Sequence, residues 1–239
     1  MPGGYYIALS GMKTRLSALD RLASDIANAS TAGYKVERAS TQQADRPSFD
    51  RSLESAIDVA TGNSRVDVRS GAVVPTGRPL DVSVDGSGFL VVDTPNGPRY
   101  TRSGRLMRRA DGVLTTSEGD VLQDTSGKPI KVSDGPITID EDGSVRSNDA
   151  ISGTLKVVTF DSTASLEKET SSRFKSDVAP TPTPNPTLKS ASLEQSNVSV
   201  VDSVTELTSV TRSFETLQRA LSVLMNDVDG RAISELGRR

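Results

Sequence analysis

The sequence predicts an α+β protein. A helix at each end forms an antiparallel coiled-coil-like domain, and between them sits a central all-β module, sandwich or barrel-like. Three observations predict this. Tyr5, Leu9, Met12, Leu16, Leu19, Ala23 and Ile26 are spaced 4, 3, 4, 3, 4, 3, an unbroken a/d heptad seam. Leu207, Val210, Phe214, Leu217, Leu221, Leu224 and Val228 form a second seam, spaced 3, 4, 3, 4, 3, 4. Short apolar runs with turn dipeptides fill the interval.

The first element, residues 1–33, is read as the N-terminal helix. Its charged residues Lys13, Arg15, Asp20, Arg21 and Asp25 fall off the seam, and Gly33 supplies a C-terminal stop. Residues 34–79 show no sustained period. Pro47, Gly62, Gly71, Pro75, Gly77 and Pro79 mark an extended connector. Residues 80–177 are read as the central β domain. Leu80-Asp81-Val82-Ser83-Val84 alternates with period two, and Gly88-Phe89-Leu90-Val91-Val92 is a buried run. Ile137-Thr138-Ile139 and Leu155-Lys156-Val157-Val158 are further strands, with Asp111-Gly112 and Asp142-Gly143 as hairpin turns. Residues 178–192 form a Pro-rich return segment that is unable to be a central strand. Residues 193–239 hold the second helix, with Ser199 and Asp202 at capping-box spacing. One narrow seam per helix buries little surface in an isolated chain, so both seams point to burial against neighbouring copies.

Composition narrows the chemistry. The 239 residues carry a net charge of −3, with 34% hydrophobic and 4% aromatic residues, which disfavours one large core. The balance gives no electrostatic reason for nucleic acid or an anionic membrane as partner. Without Cys there is no thiol catalysis, disulfide or thiolate metal site. Without His the commonest general base and transition-metal ligand are missing. No stretch approaches a transmembrane span, and the N-terminus lacks the basic n-region of a cleaved signal peptide.

Individual motifs are weak. Asp85-Gly86-Ser87-Gly88-Phe89 contains Gly-x-Gly, but a strand follows it where a phosphate loop needs a helix. Thr138, Asp140, Asp142, Gly143 and Asp149 mimic a calcium loop imperfectly, with Thr first and Asp last where Glu is required. Arg99, Arg102, Arg105, Arg108 and Arg109 cluster around a hairpin and read as a solvated or subunit-contacting surface. Asn197-Val198-Ser199 spells a glycosylation sequon. No nucleophile, base and orienting group can be assembled, so neither catalytic residues, cofactor nor metal are expected.

Four blocks carry a resemblance. Ile26-Ala27-Asn28-Ala29-Ser30-Thr31-Ala32-Gly33-Tyr34-Lys35 is similar to the segment that closes the first helix of flagellar rod and hook proteins. Pro79-Leu80-Asp81 through Gly86-Ser87-Gly88-Phe89 resembles their middle region, as does Tyr100-Thr101-Arg102-Ser103-Gly104. Leu193-Glu194-Gln195-Ser196-Asn197-Val198 looks like the approach to their last helix, with Ser199 where Asn is usual. Arg212-Ser213-Phe214-Glu215 matches a further block in that helix. Length, the Arg78-Pro79-Leu80-Asp81 form and the Asn28-Ala29-Ser30-Thr31 form are most similar to the proximal rod branch, with the distal rod branch next.

The resemblance implies a structural, torque-transmitting subunit of the basal-body rod, assembled with copies of itself and other rod subunits into a hollow periplasmic shaft. It implies export through the flagellar type III apparatus without signal cleavage, and neither nucleic acid nor a small-molecule substrate as partner. The assembly seam would be Leu9, Met12, Leu16, Leu19, Ile26, Leu207, Val210, Phe214, Leu217, Leu221, Leu224 and Val228. Competing readings are a secreted β-domain adhesin with helical tails and, more remotely, an enzyme.

Overall fold

A computed structural model describes residues 2–39, 64–148, 150–161 and 166–236. The chain divides into two compact units. Residues 1–27, 39–64 and 199–239 belong to one, and residues 28–38 and 65–198 to the other.

The first unit holds the only two helices among the described residues, Pro2–Ala27 and Val200–Leu236. Pro2 occupies a first-turn position, where its missing N–H costs nothing. The second helix starts where the capping pattern places it. The Asp202 N–H donates to Ser199 Oγ at 3.4 Å, and the Ser203 N–H to the Ser199 carbonyl at 2.9 Å. Contacts between the helices run in opposite chain directions: Arg21 meets Glu206 at 3.5 Å, and a Cβ on Gly11 would lie 3.6 Å from Leu217 Cδ1.

The α+β class holds, but the coiled-coil expectation is corrected. Two of the N-terminal knobs face solvent, Leu9 at 46% and Leu16 at 51% exposure. The buried apolar residue is Leu22, which lies off the heptad seam, with Met12, Leu19 and Ile26 half-buried beside it. A straight helix of 3.6 residues per turn drifts away from a 3.5-residue seam unless two helices supercoil. The covered residues form a broader helical stripe instead, and alternate seam positions stay outside it.

The second unit is β-rich. Its main sheet has nine strands, all pairings antiparallel. From one end the order is Leu166–Lys168, Arg173–Ser176, Gly97–Thr101, Phe89–Thr94, Val121–Leu122, Leu114–Thr116 and Leu106–Arg108. Val157–Thr159 also pairs with Phe89–Thr94, and Thr181–Pro182 pairs with Val157–Thr159. Pro182 therefore lies on the outermost strand of that branch, where a missing N–H is tolerated. A separate three-stranded sheet joins Ile137–Ile139, Ser144–Ser147 and Ala150–Thr154. Gly112 and Gly143, at φ of +82° and +85°, turn the two Asp-Gly hairpins.

The strand Phe89–Thr94 explains the core. Side chains alternate across a sheet with period two. Phe89 and Val91 join Tyr100, Val158, Leu166 and Phe174 on one side. Leu90 and Val92 join Leu106, Leu114, Leu122, Val145 and Leu155 on the other. Both faces are covered, so the run is apolar throughout rather than alternating. Phe89 meets Phe160 and Phe174 edge-on, with ring centroids 5.7 and 5.8 Å apart.

Two short pairings bring the end of the unit back to its beginning. Leu188–Ser190 pairs with Val82–Val84, and Ser192–Glu194 pairs with Val73–Pro75. Ala191, at φ +51°, separates the two return strands.

Candidate functional site: an ionic clasp between chain segments

Three charged side chains meet inside the second unit. Lys35 follows the N-terminal motif, Arg102 follows strand Gly97–Thr101, and Glu194 ends the last return strand. Their side chains are 0 to 1% exposed. Lys35 Nζ lies 2.5 Å from Glu194 Oε1, and Arg102 Nη1 lies 3.1 Å from Glu194 Oε2. Glu194 Oε1 also accepts the Gly71 N–H at 2.9 Å. One carboxylate thus joins three segments.

The remaining donors reach carbonyl oxygens. Lys35 Nζ donates to the Arg69 carbonyl at 2.7 Å. Arg102 donates to the carbonyls of Val84 at 3.2 Å and Gly86 at 2.6 Å, and its guanidinium lies 4.9 Å from the Phe89 ring centroid. Arg102 Nε has no hydrogen-bond partner. Burial lowers the Lys35 pKa, against the opposing pull of Glu194. Burial likewise lowers that of Arg102, again opposed by Glu194. Removing one member of such a group costs about 3–5 kcal/mol, because the other is left as an unpaired buried charge.

Backbone and amide contacts surround the clasp. The Gly33 N–H donates to the Glu194 carbonyl at 2.9 Å. Asn197 Oδ1 accepts the Val36 N–H at 2.8 Å, while its Nδ2 donates to the carbonyls of Asp67 and Arg69 at 2.8 and 3.1 Å. Tyr34 is buried, with Lys168 Nζ 3.7 Å from its ring centroid.

The motif residues are distributed as follows. Ala27 is exposed at the helix end, and Asn28 and Thr31 close the following turn through a 3.1 Å side-chain hydrogen bond. Gly33, Tyr34 and Lys35 are buried. Pro79 is exposed, Leu80 packs against the core, and Asp81 is buried with Arg78 3.3 Å away. Gly86 turns the chain at φ +77°, while Gly88 and Phe89 are buried. Ser196 and Val198 flank Asn197, half-buried. In the last helix, Arg212 and Glu215 are exposed and Phe214 is half-buried. Gly33, Lys35, Gly86, Phe89 and Asn197 converge on or around the clasp; the helical block lies in the other unit.

Of the seam residues, Val210 is buried, Leu207, Leu217 and Leu221 are half-buried, and the side chains of Leu224 and Val228 lie outside the described residues.

Arg102 and Glu194 stand within the motif blocks, but the sequence does not mark either one as a site residue. Arg102 reads locally as one of five clustered arginines, yet those arginines have separate fates. Arg99 pairs with Glu169 at 3.0 Å, Arg108 with Asp134 and Arg109 with Asp111 at 2.6 Å, while Arg105 is exposed. The calcium-like loop is a hairpin in which Asp140 and Asp142 are occupied, while Asp149 lies outside the described residues. Asp142 accepts the Ser144 N–H and hydroxyl, each at 2.9 Å, and Asp140 pairs with Arg146 at 2.6 Å.

The comparisons with known proteins match the same segments. Residues 6–35 match the family described as flagella basal body rod protein, and residues 83–147 the flagellar hook protein FlgE/F/G D1 domain. Residues 189–227 match the flagellar basal body rod FlgEFG protein C-terminal family. A flagellar basal-body rod protein FlgF of Caulobacter vibrioides is 31% identical over 229 residues, covering 92% of this chain and 93% of the relative. A FlgF of Mesorhizobium japonicum is 29% identical over 247 residues, covering 99% of each. A FlgG of Bacillus subtilis is 28% identical over 249 residues, covering 91% and 93%. Since similarity extends over nearly the whole chain and the three family-matched segments include every member of the clasp, the chain belongs to the flagellar basal-body rod protein family.

Proposed function

We propose that the protein is a structural subunit of the flagellar basal-body rod, of the FlgF type, and not an enzyme. It joins copies of itself and other rod subunits in a hollow shaft that crosses the periplasm and transmits torque. It reaches that place through the flagellar type III export apparatus without loss of a signal peptide. Five relatives at 29–31% identity are named FlgF, and two named FlgG stand at 27–28%, which favours the proximal over the distal rod type.

The observation that carries this reading is apolar surface left uncovered on both helices of a rod-family chain. Leu9, Leu16, Val201, Val204 and Val223 are exposed, Val201 at 76%. Threonines on the second helix deepen that surface. Thr205, Thr208 and Thr211 each donate to the carbonyl four residues earlier at 2.8–2.9 Å. Their hydroxyls are spent, which leaves methyl groups available for contact. Neighbouring subunits would cover this surface together with the part of Leu207, Phe214, Leu217 and Leu221 that the chain itself leaves exposed. The alternative adhesin reading leaves the exposed leucines unexplained.

The test is a strain carrying Leu9→Asp/Leu16→Asp in place of the wild-type chain. Exposed positions tolerate a carboxylate in the monomer, whereas an apolar subunit contact does not. The purified variant should keep the wild-type melting temperature, be absent from purified basal bodies, and leave cells non-motile. Normal motility would overturn the role of this surface; absence of the wild-type chain from purified basal bodies would overturn the rod assignment itself.

A further inference from the structure

We propose that Glu194 is a completion lock: the β-rich unit closes as a whole only when the last return strand delivers its carboxylate. Three observations lead there.

The first is the charge balance. Lys35 and Arg102 are both buried, and Glu194 is the carboxylate that touches both. Their other described acceptors are the carbonyls of Arg69, Val84 and Gly86. Asp67 is the next carboxylate near Lys35, but Arg69 and Arg38 hold it at 2.6 and 2.8 Å. With Arg102 Nε already unpartnered, the arrangement has no spare acceptor to replace Glu194.

The second is chain order. Lys35 lies 159 residues before Glu194, and Arg102 lies 92 before it. A chain is made from its N-terminus, so both cations and all nine strands of the main sheet exist before Glu194 does. Over that interval, closing the unit would bury two cations against carbonyl oxygens alone. Opening, which returns them to water, is the lower-energy state.

The third is that Glu194 acts on the module and not only on its own strand. Arg102 lies against the Phe89 ring and holds the carbonyls of Val84 and Gly86. Phe89 and Val84 belong to the two core clusters. An unmatched Arg102 therefore disturbs both. Gly71, whose N–H Glu194 also binds, sits so close to the return that a Cβ there would lie 2.0 Å from the Gln195 carbonyl oxygen.

The experiment compares three full-length proteins: wild type, Glu194→Gln, and Lys35→Met/Arg102→Met/Glu194→Leu. Thermal unfolding and segment-resolved hydrogen exchange are measured on each. Glu194→Gln keeps the shape but removes the anion. It should lower the melting temperature by on the order of 10 °C. Exchange protection should fall together in Phe89–Thr94, Leu114–Thr116 and Arg173–Ser176, far from the substituted strand in sequence. The triple variant removes the cations as well, and should recover most of the lost melting temperature. Loss of protection confined to residues 188–198 would overturn the proposal, as would a triple variant no more stable than Glu194→Gln. If Glu194→Gln does not fold, the triple variant decides: folded, it supports the lock; unfolded, it refutes it.

Discussion

Gly33 lies directly against the backbone of Arg102. A Cβ at Gly33 would sit 2.3 Å from the Arg102 carbonyl carbon and 2.4 Å from the Ser103 nitrogen, and φ is +72°. Glycine is required there twice over, once by left-handed backbone and once by space. Gly77 separates the two requirements. Its φ is +71°, but nothing lies within 4 Å of a Cβ.

Gly77→Ala is therefore expected to cost only the left-handed strain, about 1–2 kcal/mol. Gly33→Ala adds a collision with backbone that has no flexible side chain to yield. Its cost is expected to be clearly larger, on the order of 3 kcal/mol or more. Denaturant unfolding of the two variants measures both. Equal costs would mean that the N-terminal motif and the Arg102 backbone are not packed together.

Asn197 offers a test of the amide bridge. Asn197→Ala leaves the Val36 N–H and the carbonyls of Asp67 and Arg69 without this partner. A loss of about 1–2 kcal/mol is expected, since these groups are only partly buried and water can replace part of what Asn197 provides. Asn197→Asp should be worse than its near-identical shape suggests, because a carboxylate oxygen would then face two carbonyls. Urea midpoints of the two variants rank the effects.

Acid should destabilise the β-rich unit. Asp67 is held well below the ordinary carboxylate value of 3.8, first by hydrogen bonds from the Arg69 side chain and then by Arg38. Glu169 is held below 4.5, first by Arg99 and also by Arg173. Asp142 is lowered by the Ser144 N–H and hydroxyl. In each case the unfolded chain takes up a proton more readily than the folded one, so stability rises with pH between the folded and unfolded values. The contribution is complete above about pH 5.5 and drains away as pH falls through about 4 and below. A melting-temperature profile from pH 2 to 7 should be flat at its upper end and decline at its lower end. Asp67→Asn should flatten the acid limb, because it removes one of the titrating groups.

Leu22 and Leu16 separate packing within the chain from contact outside it. Leu22 is 3% exposed and Leu16 51%. Leu22→Ala should destabilise the helical unit by about 2–5 kcal/mol, the range for truncating a buried leucine. Leu16→Ala should leave the monomer near wild type. Helical circular dichroism against temperature reads both. The Arg21–Glu206 pair should contribute little, since the Glu206 side chain is 55% exposed, and Glu206→Ala serves as the control.

How much was legible follows from where each signal lives. Alternation over Leu80–Val84, the apolar run Phe89–Val92 and the Asp-Gly turns at 111 and 142 are local, and each appears as strand or turn. Ser199 caps its helix because a hydroxyl three residues before an N–H is likewise local. The heptads at Leu9 to Ile26 state that an apolar stripe exists, but not which part of it is covered. Coverage depends on the partner surface, and Leu22 rather than Leu16 is buried.

Sequence alone thus determined the order of helix, β-rich region and helix, the absence of thiol and imidazole chemistry, and, through its motif blocks, the flagellar rod and hook family. Backbone propensity, turn chemistry and residue type all act within a few positions, so they can be read in one dimension. Only the tertiary structure decided that Arg102 is buried while Arg105 is exposed, and that Lys35 and Arg102 share one carboxylate. The charge of a side chain is written in the sequence. Its solvation is set by what folds over it, and here that cover includes a strand delivered 92 residues later.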